Sequence, residues 1–134
     1  MSFRRVTSPL APEPAAGMWS NCLVAGNIAY ISGMTARSVA NTEQVQGDNE
    51  YEQARLVFGK IKGLVEAAGG TMSDIAKLTI FVTRIANRDQ VWKARQEFFT
   101  GDFPACSLVE VSSLAKPDIY LEIEGIAHLS GKPA

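Results

Sequence analysis

Tyr120-Leu121-Glu122-Ile123-Glu124-Gly125-Ile126-Ala127-His128-Leu129 decides the fold. Successive side chains of a strand point to opposite faces of its sheet. Leu121, Ile123, Gly125, Ala127 and Leu129 therefore form one apolar row. Tyr120, Glu122, Glu124, Ile126 and His128 form the other, which sets two carboxylates among bulkier side chains. The first row fits beneath helices. The second, neither fully polar nor fully apolar, is suited to packing against another subunit.

Working backwards, Ala105 to Val111 alternates as a strand, and Ala76 to Val82 is rich in strand formers. Between them Asn87 can cap a helix running to about Phe99, with Val91, Ala94 and Phe98 on one face. Before them, Tyr51, Ala54, Phe58, Ile61, Val65 and Ala68 recur at steps of three and four, and Val57 and Leu64 widen the stripe. That spacing predicts an amphipathic helix capped by Asp48 and ended by Gly69-Gly70, with Lys60, Lys62 and Glu66 on the solvated side. Residues 33–48 read as a loop. Cys22 to Ala25 and Ile28 to Ser32, split by Gly26-Asn27, read as a tight hairpin. Residues 1–17 read as an extended lead-in, because the prolines of 8–17 block helix and central strand. The whole is one α+β domain over 1–134, a mixed sheet with two helices on one face and no internal repeat.

A chain of 134 residues can bury a sufficient core without disulfides. Its net charge of -1 leaves no electrostatic footprint for binding phosphate backbones. The two cysteines, Cys22 and Cys106, do not make a secreted disulfide scaffold, and with His128 the only histidine no zinc spacing exists. No apolar run approaches the roughly 20 residues that cross a bilayer, and Met1 to Gly17 lacks the apolar stretch of a secretory signal. The expectation is a cytoplasmic protein with no metal and no membrane or nucleic-acid partner.

Several segments, in order, resemble the pattern of the RidA (YjgF) family. Ala16-Gly17-Met18-Trp19-Ser20-Asn21 is similar to its Gly-Pro-Tyr-Ser-Gln entry, and Ile31-Ser32-Gly33 to its Ser-Gly-Gln strand end. Gln53-Ala54 and Ala67-Ala68-Gly69 open and close the first helix as in that family. Asp74-Ile75-Ala76-Lys77-Leu78-Thr79-Ile80-Phe81-Val82 resembles its Asp-Ile-Val-Lys-x-Thr-Val-Phe-Val strand. Phe103-Pro104-Ala105-Cys106-Ser107 resembles its Pro-Ala-Arg-Ser motif, and Leu121 to Ala127 its closing Glu-Ile-Glu-Ala-Ile-Ala. The match runs from about 16 to 128.

The resemblance implies a chorismate-mutase-like fold, a homotrimer, and ligand clefts between subunits. It implies hydrolysis of reactive enamines or imines, such as 2-aminoacrylate, to keto acids and ammonia. The family arginine clamps the substrate carboxylate and the first glutamate of the last strand helps position or activate water. Those positions are Cys106 and Glu122 here. The family's site tyrosine becomes Trp19, its Gln becomes Met34, and the Asn of the second helix becomes Trp92, with Arg95 one turn on. A thiol cannot replace a planar guanidinium fork, so the cleft is drier, more aromatic and ill-suited to 2-aminoacrylate itself.

Each candidate has a plain counterpart. Cys106 is a nucleophile or cleft-lining group, or a small packed side chain. Glu122 is a general acid or base, or a salt-bridge anchor between subunits. Trp19 and Trp92 stack on a flat ligand or simply pack. Ser32 and Gly33 offer backbone donors or only end a strand, while Met34 lines the cleft by its matched position. Arg95 is a displaced positive charge or a solvated helix residue. Three functions follow: a deaminase of a small enamine or imine, of the aminomuconate type or otherwise conjugated, needing only water and proton transfer and hence no cofactor; a non-enzymatic small-molecule-binding trimer that senses or buffers a metabolite; and an endoribonuclease, a label some family members carry, which the near-neutral charge disfavours.

Overall fold

The computed structural model describes residues 2–130; Met1 and 131–134, the ends of the expected domain, lie outside them. The chain folds as β1 (Arg4–Val6), β2 (Cys22–Ala25), β3 (Ile28–Met34), α1 (Glu50–Ala67), β4 (Ile75–Val82), α2 (Arg88–Arg95), β5 (Ala105–Glu110) and β6 (Leu121–His128). Single 3-10 turns, Met72–Asp74 and Ile85–Asn87, precede β4 and α2. The six strands form one sheet in the order β1-β2-β3-β6-β4-β5. Every neighbouring pair is antiparallel except β4 and β5, which are joined through α2. A parallel pair needs a crossover of this kind, because no tight turn can connect strands of the same direction.

The alternation in β6 holds. Leu121, Ile123 and Ala127 are fully buried beneath the helices, while Glu124, Ile126 and His128 are exposed on the open face. Leu78, Ile80 and Val82 of β4 extend the buried row. Val57, Phe58, Ile61, Leu64 and Val65 of α1 cover it, each with no exposed surface. Truncating any of these large side chains to alanine would cost about 2–5 kcal/mol.

Helix ends follow local chemistry with three corrections. The N-cap of α1 is Asn49, one residue after the expected Asp48; Asn49 Oδ1 accepts from Glu52 N at 2.9 Å. The α1 C-terminus closes with Gly69 N donating to Glu66 O and Gly70 N to Val65 O, and Gly69 takes the positive φ of 99° that this motif needs. Asn87 stands at the start of α2 but makes no side-chain cap; its Nδ2 instead donates to Glu50 Oε2 at 3.0 Å. The α2 helix ends at Arg95, not near Phe99, and the chain continues to Phe98 through tighter i to i+3 bonds.

Two further expectations are corrected. The lead-in is more than a lead-in: its extended Arg4–Val6 joins the sheet as β1, pairing with β2 at the free edge of the hairpin with Val6 buried, before the prolines begin. Lys60 is not solvated. It is only 7% exposed, because residues 35–37 cross that flank of α1, and its Nζ donates to Thr35 O and Arg37 O, both at 2.7 Å.

Two buried polar side chains tie the layers together. Gln53 Nε2 donates to Gly47 O and Asp118 O, and its Oε1 accepts from Tyr120 N. This fixes the entry into β6, and so the height of Glu122. Glu50 is fully buried and receives Arg84 Nε and Nη2 at 2.9 and 2.8 Å, with the guanidinium 4.0 Å from the Tyr120 ring centre. Burial pushes the Glu50 carboxyl up, but the Arg84 fork and Asn87 outweigh it and hold it below the ordinary value.

Candidate functional site

At the end of the sheet where β3 stops and β6 begins, Trp19, Asn21, Gly33, Met34, Arg37, Lys60 and Glu122 line one hollow. A local irregularity makes it. Ile31 faces Gly125 and Met34 faces Ile123, so Ser32 and Gly33 together oppose Glu124. Such a bulge bends its strand and re-aims the side chains around it. Here it brings the bare Cα of Gly33 beneath the Glu122 side chain. A Cβ at position 33 would lie 2.3 Å from Glu122 Oε2 and 2.7 Å from its Cδ. Only glycine leaves the carboxylate in this seat; the constraint comes from the close approach of Glu122 and not from backbone conformation.

Glu122 is half-buried and has no hydrogen-bond or ion-pair partner among the described residues. Burial raises its pKa, and the charge of Glu124 adds to the rise. A carboxyl group with this environment can exchange a proton nearer neutrality than a solvated one.

Trp19, 55% exposed, donates from Nε1 to Asn21 Oδ1 at 3.3 Å. Asn21 is buried and spends its Nδ2 on Pro12 O and Glu13 Oε1, which pins the lead-in beside the hollow. Met34 forms an apolar wall. Ser32 borders a second shallow depression on the open face with Tyr30, Glu124 and Ile126. Its hydroxyl donates to Ser20 O at 2.6 Å and its N–H to Asn21 O at 2.9 Å, so both of its donors are engaged by the chain.

Cys106 and Trp92 stand apart from this group within one protomer. Cys106 pairs with Leu78, which pairs with Gly125, so its side chain lies on the helix side of the edge strand β5 and packs against the core. Glu122, between buried Leu121 and Ile123, points to the opposite face. Two strand spacings and three residues put their Cα atoms roughly 14 Å apart. The thiol's contact is with Ser107 O at 3.8 Å. Trp92 is exposed on α2, with the Arg88 guanidinium 5.8 Å from its ring. Arg95 is neither in the hollow nor fully solvated: it is half-buried, its guanidinium 5.7 Å from the Phe103 ring, its Nε without a partner among the described residues.

Asn21, Arg37 and Lys60 were not singled out from sequence. Lys60 adjoins the apolar stripe between Phe58 and Ile61, and only the path of residues 35–37 reveals its burial. Among the described residues no cluster of three or more metal-ligating side chains occurs, and no helix is long and apolar enough to cross a membrane.

With this geometry in hand, the likeness to known proteins is informative. Residues 10–129 match the family described as Endoribonuclease L-PSP. The chain is 38% identical over 127 residues to a 2-iminobutanoate/2-iminopropanoate deaminase of Dermatophagoides farinae, covering 94% of this chain and 97% of that protein. It is 36% identical over 118 residues to a RutC family protein of Pyrococcus horikoshii, covering 88% and 91%. Among solved structures it resembles a protein of unknown function from Pseudomonas aeruginosa at a TM-score of 0.86 and 41% identity, over 96% of this chain and 94% of that one. It also resembles RidA from an Antarctic Psychrobacter at a TM-score of 0.84 and 28% identity, over 94% and 99%.

Proposed function

Because the chain belongs to the Endoribonuclease L-PSP family, the RidA group, we propose that it is a cofactor-independent deaminase that hydrolyses a small enamine or imine and releases ammonia. The observation that carries this reading is the unpartnered, half-buried carboxylate of Glu122 seated over Gly33. A carboxylate so placed is free to take a proton from water and return it to nitrogen.

The reaction balances with water alone. An enamine first tautomerises to the imine, which binds protonated on nitrogen. Water adds to the iminium carbon while Glu122 accepts one of its protons. Glu122 passes that proton to the amino group of the resulting carbinolamine. The C–N bond then breaks, ammonia leaves, and the hydroxyl gives its proton to the Glu122 carboxylate as the carbonyl forms; release of that proton to solvent balances the one the imine took up. Trp19 and Met34 give one side of the hollow a flat, apolar wall, which suits a conjugated substrate of the aminomuconate type.

The cleft is completed by a second copy in a homotrimer. In that assembly the edge formed by β5 and α2 of one copy, which carries Cys106 and Trp92, would border the hollow of Trp19, Gly33, Met34 and Glu122 of another. The open face, with Tyr30, Val109 and Ile126 each more than a third exposed, supports it as a face suited to self-association. The competing reading is a non-enzymatic binding trimer, favoured by the thiol at position 106 where the family pattern has its carboxylate-clamping arginine. Ammonia release from a panel containing 2-iminobutanoate and 2-aminomuconate, with Cys106→Ala and Glu122→Gln alongside, separates the two. Turnover abolished by Glu122→Gln supports the deaminase; binding without turnover of any member supports the sensor.

A further inference from the structure

The hollow holds one carboxyl group but two cationic residues, Arg37 and Lys60. Neither cation has an acidic partner among the described residues, whereas Arg5, Arg55, Arg84 and Lys116 each pair with a glutamate. The Lys60 ammonium has three N–H donors and spends two on Thr35 O and Arg37 O. The Arg37 guanidinium has five and spends one, from Nη1 to Thr42 O at 2.8 Å. Lys60 is buried, so its charge is poorly screened and acts on whatever enters the hollow. Burial and the nearby Arg37 charge push its pKa down to about 8, which still leaves it mostly charged at neutral pH. Position 106 carries a thiol where the family pattern has an arginine.

We propose that Arg37, backed by the buried Lys60, is the group that binds the ligand's carboxylate in this hollow, in place of the arginine that the family pattern carries at position 106. Arg37 sits on the segment leaving β3, next to the Gly33 bulge that seats Glu122. A carboxylate held by Arg37 would share the hollow with Glu122, so the cation and the proton-transfer group together would fix the ligand's direction. The charge-assisted contact also makes Arg37 specificity-determining, since a neutral analogue gains nothing from it. This inference rests on the site described under Proposed function.

Titration calorimetry on the full chain tests it with 2-oxobutanoate and its uncharged counterpart 2-oxobutanamide. The acid should bind at least about tenfold more tightly than the amide, and added salt should narrow the gap. In Arg37→Gln the acid should weaken about tenfold or more while the amide is unchanged, and Arg37→Lys should restore part of the difference. Arg37 is part-exposed, so its replacement leaves the core intact. Equal binding of acid and amide by the wild type, wild-type binding of the acid by Arg37→Gln, or no binding of either overturns the proposal. The two readings fail separately. Arg37-dependent binding without ammonia release removes the deaminase and leaves the carboxylate site. Ammonia release with an unchanged KM in Arg37→Gln removes the carboxylate site and leaves the deaminase.

Discussion

Replacing Gly33 by alanine separates stability from chemistry. Its φ is not in the left-handed region, so the backbone tolerates alanine, and the stiffer unfolded chain gains the fold about 0.4–1 kcal/mol. The new Cβ would sit 2.3 Å from Glu122 Oε2, and the atoms it strikes are the end of a flexible side chain. Restoring an ordinary 3.4 Å contact moves the carboxylate by about 1.1 Å. A misplacement of about 1 Å in a catalytic group costs on the order of a hundredfold in rate, or about 2.7 kcal/mol of barrier. The expected protein therefore melts within a few degrees of wild type yet releases ammonia about a hundredfold more slowly. Parallel thermal melts and a coupled ammonia assay check both halves. A rate within twofold of wild type would show that the carboxylate above Gly33 does not move the proton. A large fall in melting temperature would show that the backbone, not the carboxylate, gives way.

Other perturbations follow from the same geometry. The pKa of Glu122 is raised in the folded state, so its stabilising contribution is present below the unfolded value and is lost as pH rises through the folded one; Glu122→Gln should raise the melting temperature at pH 7 relative to wild type and lose that advantage near pH 4. Arg84→Met should lower unfolding free energy in urea by about 2–4 kcal/mol, because it strands the buried Glu50 carboxylate. The pH trend should invert as well: in wild type the lowered Glu50 pKa gives stability that is lost as pH falls, while in the variant stability should fall as pH rises through the carboxylate range. Asn49→Ala should cost about 1 kcal/mol in the same titration, from the lost cap on Glu52 N.

Much of the fold was legible because its signals are local. The alternation of Leu121 to Leu129 and the stripe from Tyr51 to Ala68 each record burial within a few residues, and Gly26-Asn27 states its hairpin outright. The short β1 was missed because three residues carry no periodicity and its pairing with β2 is a tertiary choice. Glu122, Trp19, Gly33 and Met34 were singled out from their places in a matching pattern, and one hollow gathers all four. What alternation could not supply was the bulge at Ser32-Gly33, the seating of Glu122 on it, or the burial of Lys60 under residues 35–37. Those depend on contacts between residues more than twenty positions apart in the chain. Position 106 shows the same limit: its place in the sequence is beside a family motif, but its face of the sheet follows only from the register with Leu78.

The role of Glu122 is tested most directly by the pH–rate profile for ammonia release by wild type and Glu122→Gln on one imine that the wild type turns over. The wild type should show a limb that titrates above the ordinary glutamate value, and the variant should lose that limb with a fall of about a hundredfold to ten-thousandfold in rate. An unchanged profile at near wild-type rate would contradict that role.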